Sequence, residues 1–211
     1  MTRTTVERRR TEILEATCQV VIERGFASTR VSDVASRLGI STGLIHYHFE
    51  SKELLLAEAL RYAAQGDIAR LELLLEKAPT PLAKLDTMLT FDVPEAGEPS
   101  WMLWIDGWSE ALRSPMMRRI SQDLDSAWRA RLHTIIVSGV ESGEFVCKDP
   151  MAAAWRLAGL LDGLGVQFTV HEGILNRNQL LAYVRGGAAL ELGIDPTAFS
   201  KPGRSPAVAR A

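Results

Sequence analysis

Long uninterrupted apolar runs are missing from this chain of 211 residues, and so is any excess of positive charge. Its most apolar stretch, residues 152–170, is broken by Arg156, Asp162 and Gln167, groups that are expensive in a bilayer core. No membrane partner is expected. The basic start, Arg3 and then Arg8 to Arg10, runs into Glu12 and Glu15 instead of a hydrophobic signal core, so the expected location is the cytoplasm. Cysteine is scarce: Cys18 and Cys147 stand far apart with no CxxC or Cys/His spacing, which indicates neither a disulfide framework nor a zinc site. The formal net charge is -2, so any affinity for nucleic acid must come from a local cluster of groups. There is no GxSxG, no phosphate loop and no nucleophile paired with a base. No enzyme, catalytic residue, cofactor or metal is therefore assigned.

What is present is a folded, helical chain. Hydrophobic residues make up 46% and charged residues 24%, the balance of a globular protein. Ile13, Ala16, Thr17, Val20 and Val21 recur at helical spacing until Gly25 ends the run, predicting helix one over residues 6–24. Val31, Val34, Ala35 and Leu38 predict a short second helix, with Thr29 as its cap and Gly39 as its stop. Ser41 can cap a very short third helix with Ile45 and Phe49 inward, and Ser51 a long fourth one. Proline punctuation then places helices at 81–92, 99–113, 115–141, 150–172 and 177–192. No strand pattern competes. The expected architecture is all-α, about nine helices. Residues 1–50 are expected to form a compact three-helix head, residues 51–194 a larger helical domain, and residues 195–211 a mobile tail.

The third helix is too short to serve bulk packing alone. At about 100° per residue, Gly43, Leu44, Tyr47 and His48 point away from the side carrying Ile45 and Phe49, with Thr42 and His46 on the flanks. That face suits a major groove: Gly43 lets the backbone approach, Leu44 can touch a thymine methyl, and Thr42 or His46 can meet a base edge. Tyr47, His48 and Lys52 suit phosphates. His46 is equally consistent with a solvated polar residue, and Arg8 to Arg10 suit an exposed charged face more readily than phosphate contacts before helix one. His46 and His48 diverge by about 200°, which speaks against a shared metal.

The order Gly25-Phe26, Thr29 to Ala35, and Gly39 to Leu55, which includes Tyr47-His48-Phe49-Glu50-Ser51-Lys52, resembles the TetR family of regulators over about residues 6–60. The resemblance implies a homodimeric repressor of double-stranded DNA, released by a small-molecule effector, and adds Arg30 and Ser32 to the DNA contacts. His46 stands where the family commonly has Tyr, and Leu44 where it often has Thr, so the sequence read is expected to be unusual. Two reading helices about 34 Å apart would require a palindromic operator.

Farther along, Trp101, Trp104, Ile105, Trp108 and Leu112 form one stripe, and Trp128 adds another indole. Such a stripe is either core or the wall of an effector pocket; the four tryptophans and Asp162 are the pocket candidates. Asp106, Glu110 and Arg113 are spaced for an intrahelical charge network, with a cation site beside an indole as the alternative. Trp104 to Arg113, Gly143-Glu144-Phe145 and Leu161 to Leu164 resemble the sensor domain of betaine-type repressors within the same family, without fixing a ligand. Leu157, Leu161, Leu164 and Phe168, with Leu181, Val184 and Ala188, suit either a four-helix dimer interface or packing within the chain.

Overall fold

The computed structural model describes residues 3–171 and 173–199, with side chains from Val6 onward. Within these residues nine α-helices follow one another and no strand intervenes. They are α1 (Arg3–Arg24), α2 (Val31–Leu38), α3 (Thr42–His48), α4 (Lys52–Leu75), α5 (Pro81–Asp92), α6 (Pro99–Ala111), α7 (Pro115–Glu141), α8 (Pro150–Val170) and α9 (Arg177–Leu192). The expected all-α class holds, and proline opens α5, α6, α7 and α8, where its missing N–H costs no helical bond. Among the described residues no helix is long and apolar enough to cross a membrane.

Local chemistry explains most boundaries. The Leu44 amide donates to Ser41 Oγ at 3.2 Å and the Leu54 amide to Ser51 Oγ at 3.1 Å, as N-caps do. Thr29 is not the cap expected for α2. It is buried and its hydroxyl donates to the Gly25 carbonyl at 2.7 Å, while Arg30 takes the cap position and its amide donates to Asp33. Helices α6 and α8 each stop two residues short of their expected ends.

The chain forms two compact units, the first comprising residues up to Arg70 together with Glu98–Ala127. The expected boundary after residue 50 falls inside it. The reason is apolar: Leu55, Leu60 and Leu103 belong to the same buried cluster as Phe26, Val34 and Phe49. Water exclusion therefore ties the first turns of α4 and part of α6 to the three-helix head. Gly107 on α6 fits this contact, since a Cβ there would stand 3.0 Å from Leu60 and 3.7 Å from Phe26.

The second unit comprises Leu71–Gly97 and the chain from Trp128 onward. Leu85, Leu89, Ile136, Leu157 and Val184 are buried there. Arg185 pins α9 to α5 through a two-pronged pair with Asp86, Nε to Oδ1 at 2.6 Å and Nη2 to Oδ2 at 2.9 Å, the geometry that makes arginine specific for carboxylates. The region expected to be a mobile tail begins with a 3-10 turn at Pro196–Ala198 and a buried Phe199; the rest of that expectation, residues 200–211, lies outside the described residues.

Candidate nucleic-acid interface and effector region

Helix α3 turns its one buried side chain, Ile45, inward. Outside it are Thr42, Gly43, His46 and Tyr47, all exposed, with Leu44 half-buried and Tyr47 70% exposed. Exposure of so large an aromatic on a seven-residue helix runs against packing. Arg30 and Ser32, at the start of α2, are exposed as well. Lys52 opens α4, and its ammonium donates to the Ala27 carbonyl at 3.4 Å. That leaves further N–H groups to meet an anion.

Arg10 and His48 depart from the places expected of them. Arg10 does not join an exposed basic strip: its guanidinium donates to the His48 carbonyl at 3.1 Å and to Glu58 at 3.2 Å, and lies 4.3 Å from the centre of the Phe49 ring. Arg8 and Arg9 both pair with Glu12. His48, expected to hold phosphate, has its Nε2 enclosed, with no hydrogen-bond partner among the described residues. Burial first, then the charges of Arg10 and Arg9, hold its imidazole below the usual histidine range. A neutral, enclosed ring is a poor phosphate anchor. Arg10 thus supports the C-terminal end of the reading helix, where orphan carbonyls and the helix dipole favour a cation.

The expected pocket residues divide between the units. In the first, Trp101 and Trp108 meet edge to face at 6.4 Å and 82°, and Trp104 and Trp108 lie 5.8 Å apart at 46°. The Trp108 indole N–H donates to Asp125 at 3.4 Å. In the second unit the Trp128 indole donates to Asp92 at 2.9 Å beside Phe91. Asp162 is exposed on α8. Asp106 follows neither earlier reading, because it accepts the Phe26 backbone N–H at 2.6 Å.

The expected dimer residues also need correction. Leu157, Leu161, Leu181, Val184 and Ala188 are buried within their own chain, where α8 packs on α9; Leu164 and Phe168 are half-buried. The stripe was real, and the chain spends most of it internally. What α8 and α9 leave uncovered is another face, with Trp155, Gly159, Gly163 and Val170 on α8 and Ala182, Tyr183 and Leu190 on α9. No atom outside their own helix surroundings stands within 4 Å of a Cβ built on Gly159, Gly163 or Gly186.

Sequence reasoning missed the roles of Arg10 and Asp106 and the exposed apolar residues Trp155, Tyr183 and Leu190 of this outer face. One signal was available: Gly107 inside a helix costs about 1 kcal/mol of propensity and marks a close approach.

A glycine-turned helix pair with an outward-facing, aromatic-bearing second helix, in a chain whose other described elements are all helices, defines a DNA-binding regulator of the helix-turn-helix class. The model for bacterial regulatory proteins of the tetR family matches residues 13–59, and that for the C-terminal part of BetI-type transcriptional repressors matches residues 81–193. The chain belongs to the TetR family, with a BetI-type C-terminal region. The HTH-type transcriptional regulator BetI of Pectobacterium carotovorum subsp. carotovorum (strain PC1) is 30% identical, over 82% of this chain and 89% of its own length. A transcriptional regulator from Saccharomonospora viridis, solved in complex with choline, is 28% identical with a TM-score of 0.79, covering 85% of this chain and 95% of that one. A TetR-family regulator from Rhodococcus sp. gives 25%, 0.77, 88% and 99%. These relatives are transcriptional regulators and not enzymes, and DNA binding with ligand-responsive repression is general to the family.

Proposed function

We propose that this repressor acts as a homodimer on a palindromic operator and is released from it by a small organic cation. The observation that carries the DNA-reading part is the exposed face of α3, where Thr42, Gly43, Leu44, His46 and Tyr47 are offered outward from a helix fixed beneath by Ile45, Phe49 and Arg10. Thr42, Leu44 and His46 are the base-reading candidates; Tyr47, Lys52, Arg30 and Ser32 set register on the phosphates.

The pairing surface is the uncovered side of α8 and α9. Glycines at 159, 163 and 186 let a second copy approach closely, and Trp155, Val170, Tyr183 and Leu190 supply apolar area. Self-complementary packing about a two-fold axis would give two equivalent reading heads, hence the palindrome.

Support for a cationic effector comes from the indole cluster of α6, which offers ring faces to a cation, and from the acidic groups near it in sequence and contact, Glu98 at the start of α6 and Asp125 on Trp108. The choline bound in the Saccharomonospora viridis protein points the same way. Effector binding that favours a head spacing unlike that of the operator would release DNA, and a hundredfold loss of affinity needs about 2.7 kcal/mol of coupling.

The test is fluorescence anisotropy with a labelled duplex selected by the wild-type protein from a random pool, at two salt concentrations, with Tyr47→Ala and Lys52→Ala compared after a check of folding. Tight, competitor-resistant binding by wild type, weakened in both variants and relieved by choline, is expected. A selected sequence without two-fold symmetry would overturn the dimeric reading; binding indifferent to both substitutions would overturn the assignment of the face.

A further inference from the structure

Helix α1 ends on Gly25, whose φ of 79° is left-handed. In the Schellman arrangement of such an ending, the amide of the residue after the glycine turns back to the helix's own last carbonyls. Here that amide, Phe26 N–H, leaves the helix and donates to Asp106 Oδ2 at 2.6 Å. Donor and acceptor are 80 residues apart in sequence. A charged acceptor on a backbone N–H makes one of the stronger hydrogen bonds a protein forms.

The surroundings are built around this bond. A Cβ on Gly25 would stand 3.2 Å from the same carboxylate oxygen, so the left-handed glycine also makes room for it. The next residue along α6, Gly107, brings the helix down onto Leu60 and the fully buried Phe26. Trp104 and Trp108 lie within two residues of Asp106 on α6.

We infer that Asp106 is a positioning residue for DNA reading: its carboxylate fixes the elbow between α1 and α2 against α6, and so orders the reading head before DNA arrives. The inference rests on the DNA-reading role proposed above. A head held only by apolar contact would sample more orientations and pay to order itself on the operator. A loosely oriented head loses little on random DNA, where charge alone suffices. The carboxylate therefore contributes to specific binding and not to non-specific binding.

The experiment compares full-length wild type, Asp106→Ala and Asp106→Asn on the selected operator and on a scrambled duplex of the same length, with hydrogen exchange followed at the Phe26 amide. For Asp106→Ala the expected result is a tenfold or greater loss on the operator, scrambled-duplex affinity within twofold of wild type, and faster exchange at Phe26. Asp106→Asn keeps an oxygen acceptor and should recover most of the specific affinity. If the alanine variant does not fold, Asp106→Glu carries the test, because it keeps the charge but shifts the carboxylate by one methylene toward Gly25; the same selective loss is expected. An unchanged operator-to-scrambled ratio in the folded variant overturns the inference. So does an equal loss on both duplexes, which would mark a merely structural role. The wild-type arm judges DNA reading separately, since failure to select any duplex would overturn that proposal whatever the variants do.

Discussion

The Arg10 guanidinium lies over the face of Phe49, 4.3 Å from the ring centre, and from there donates to the carbonyl of His48. One side chain of α1 thus holds both the last residue of the reading helix and the aromatic that follows it. Arg10→Ala removes the cation–π contact, the C-terminal hydrogen bond and the partly exposed pair with Glu58 together. We expect a loss of about 1–2 kcal/mol in denaturant unfolding, and an operator affinity lower by about tenfold, roughly 1.4 kcal/mol. Arg10→Lys, unable to reproduce the planar fork, should fall between. Equal operator binding by wild type and Arg10→Ala would show that the helix end needs no such support.

His48 supplies a pH prediction. Burial and the charges of Arg10 and Arg9 lower its folded-state pKa, so between the ordinary histidine value near 6.5 and that lowered value the unfolded chain binds more protons than the folded one. Stability is then fully present above about pH 6.5, falls as pH drops through this window, and levels off below it as far as this group is concerned. Urea unfolding at a series of pH values should show the fall in wild type and a smaller one in His48→Gln.

The two thiols should differ sharply in reactivity. Cys18 is buried, its Sγ 3.3 Å from the Ala59 carbonyl, and burial pushes its pKa up to about 12. Cys147 is only half-buried. Iodoacetamide at mild alkaline pH should modify Cys147 in the native protein and Cys18 only after unfolding, as read by mass spectrometry of tryptic peptides. Because the unfolded Cys18 thiol ionises near pH 8.5, its contribution to stability should decline as pH rises from there toward 12.

Glycine substitutions separate folding from pairing. A Cβ on Gly139 would stand 2.0 Å from the ring of buried Phe145, so Gly139→Ala should destabilise the chain by about 1–3 kcal/mol through overpacking. Gly163 faces open space. Gly163→Leu should leave the melting temperature of the monomer near wild type while shifting sedimentation from dimer to monomer. A dimer unaffected by that leucine would remove the outer face of α8 from the interface.

Much of the fold can be read from the residues because its signals are local. Proline at Pro81, Pro99, Pro115 and Pro150, and the hydroxyls of Ser41 and Ser51, act within a turn of where they stand, and the boundaries they announce are nearly those found. Tyr47 was also readable, since an exposed aromatic opposite Ile45 has little structural use. The failures involve partners distant in sequence. Thr29 has a capping residue's chemistry but is drawn inward to Gly25, and Asp106 has ideal spacing for pairing along its own helix but is claimed by Phe26. Leu157, Leu161 and Val184 illustrate a third limit. A stripe announces burial without saying whether the covering surface is the same chain or another.

The apolar cluster that joins Leu55, Leu60 and Leu103 to Phe26 and Phe49 also sets how portable the reading head is. A graft cut after residue 50, the natural place to cut by motif, would carry the recognition surface but strip away the side chains that close its underside. Transplanting this specificity into another regulator therefore calls for a recipient whose own fourth and sixth helices present matching apolar relief and a carboxylate at the elbow, or for a discontinuous graft that brings residues 98–127 along.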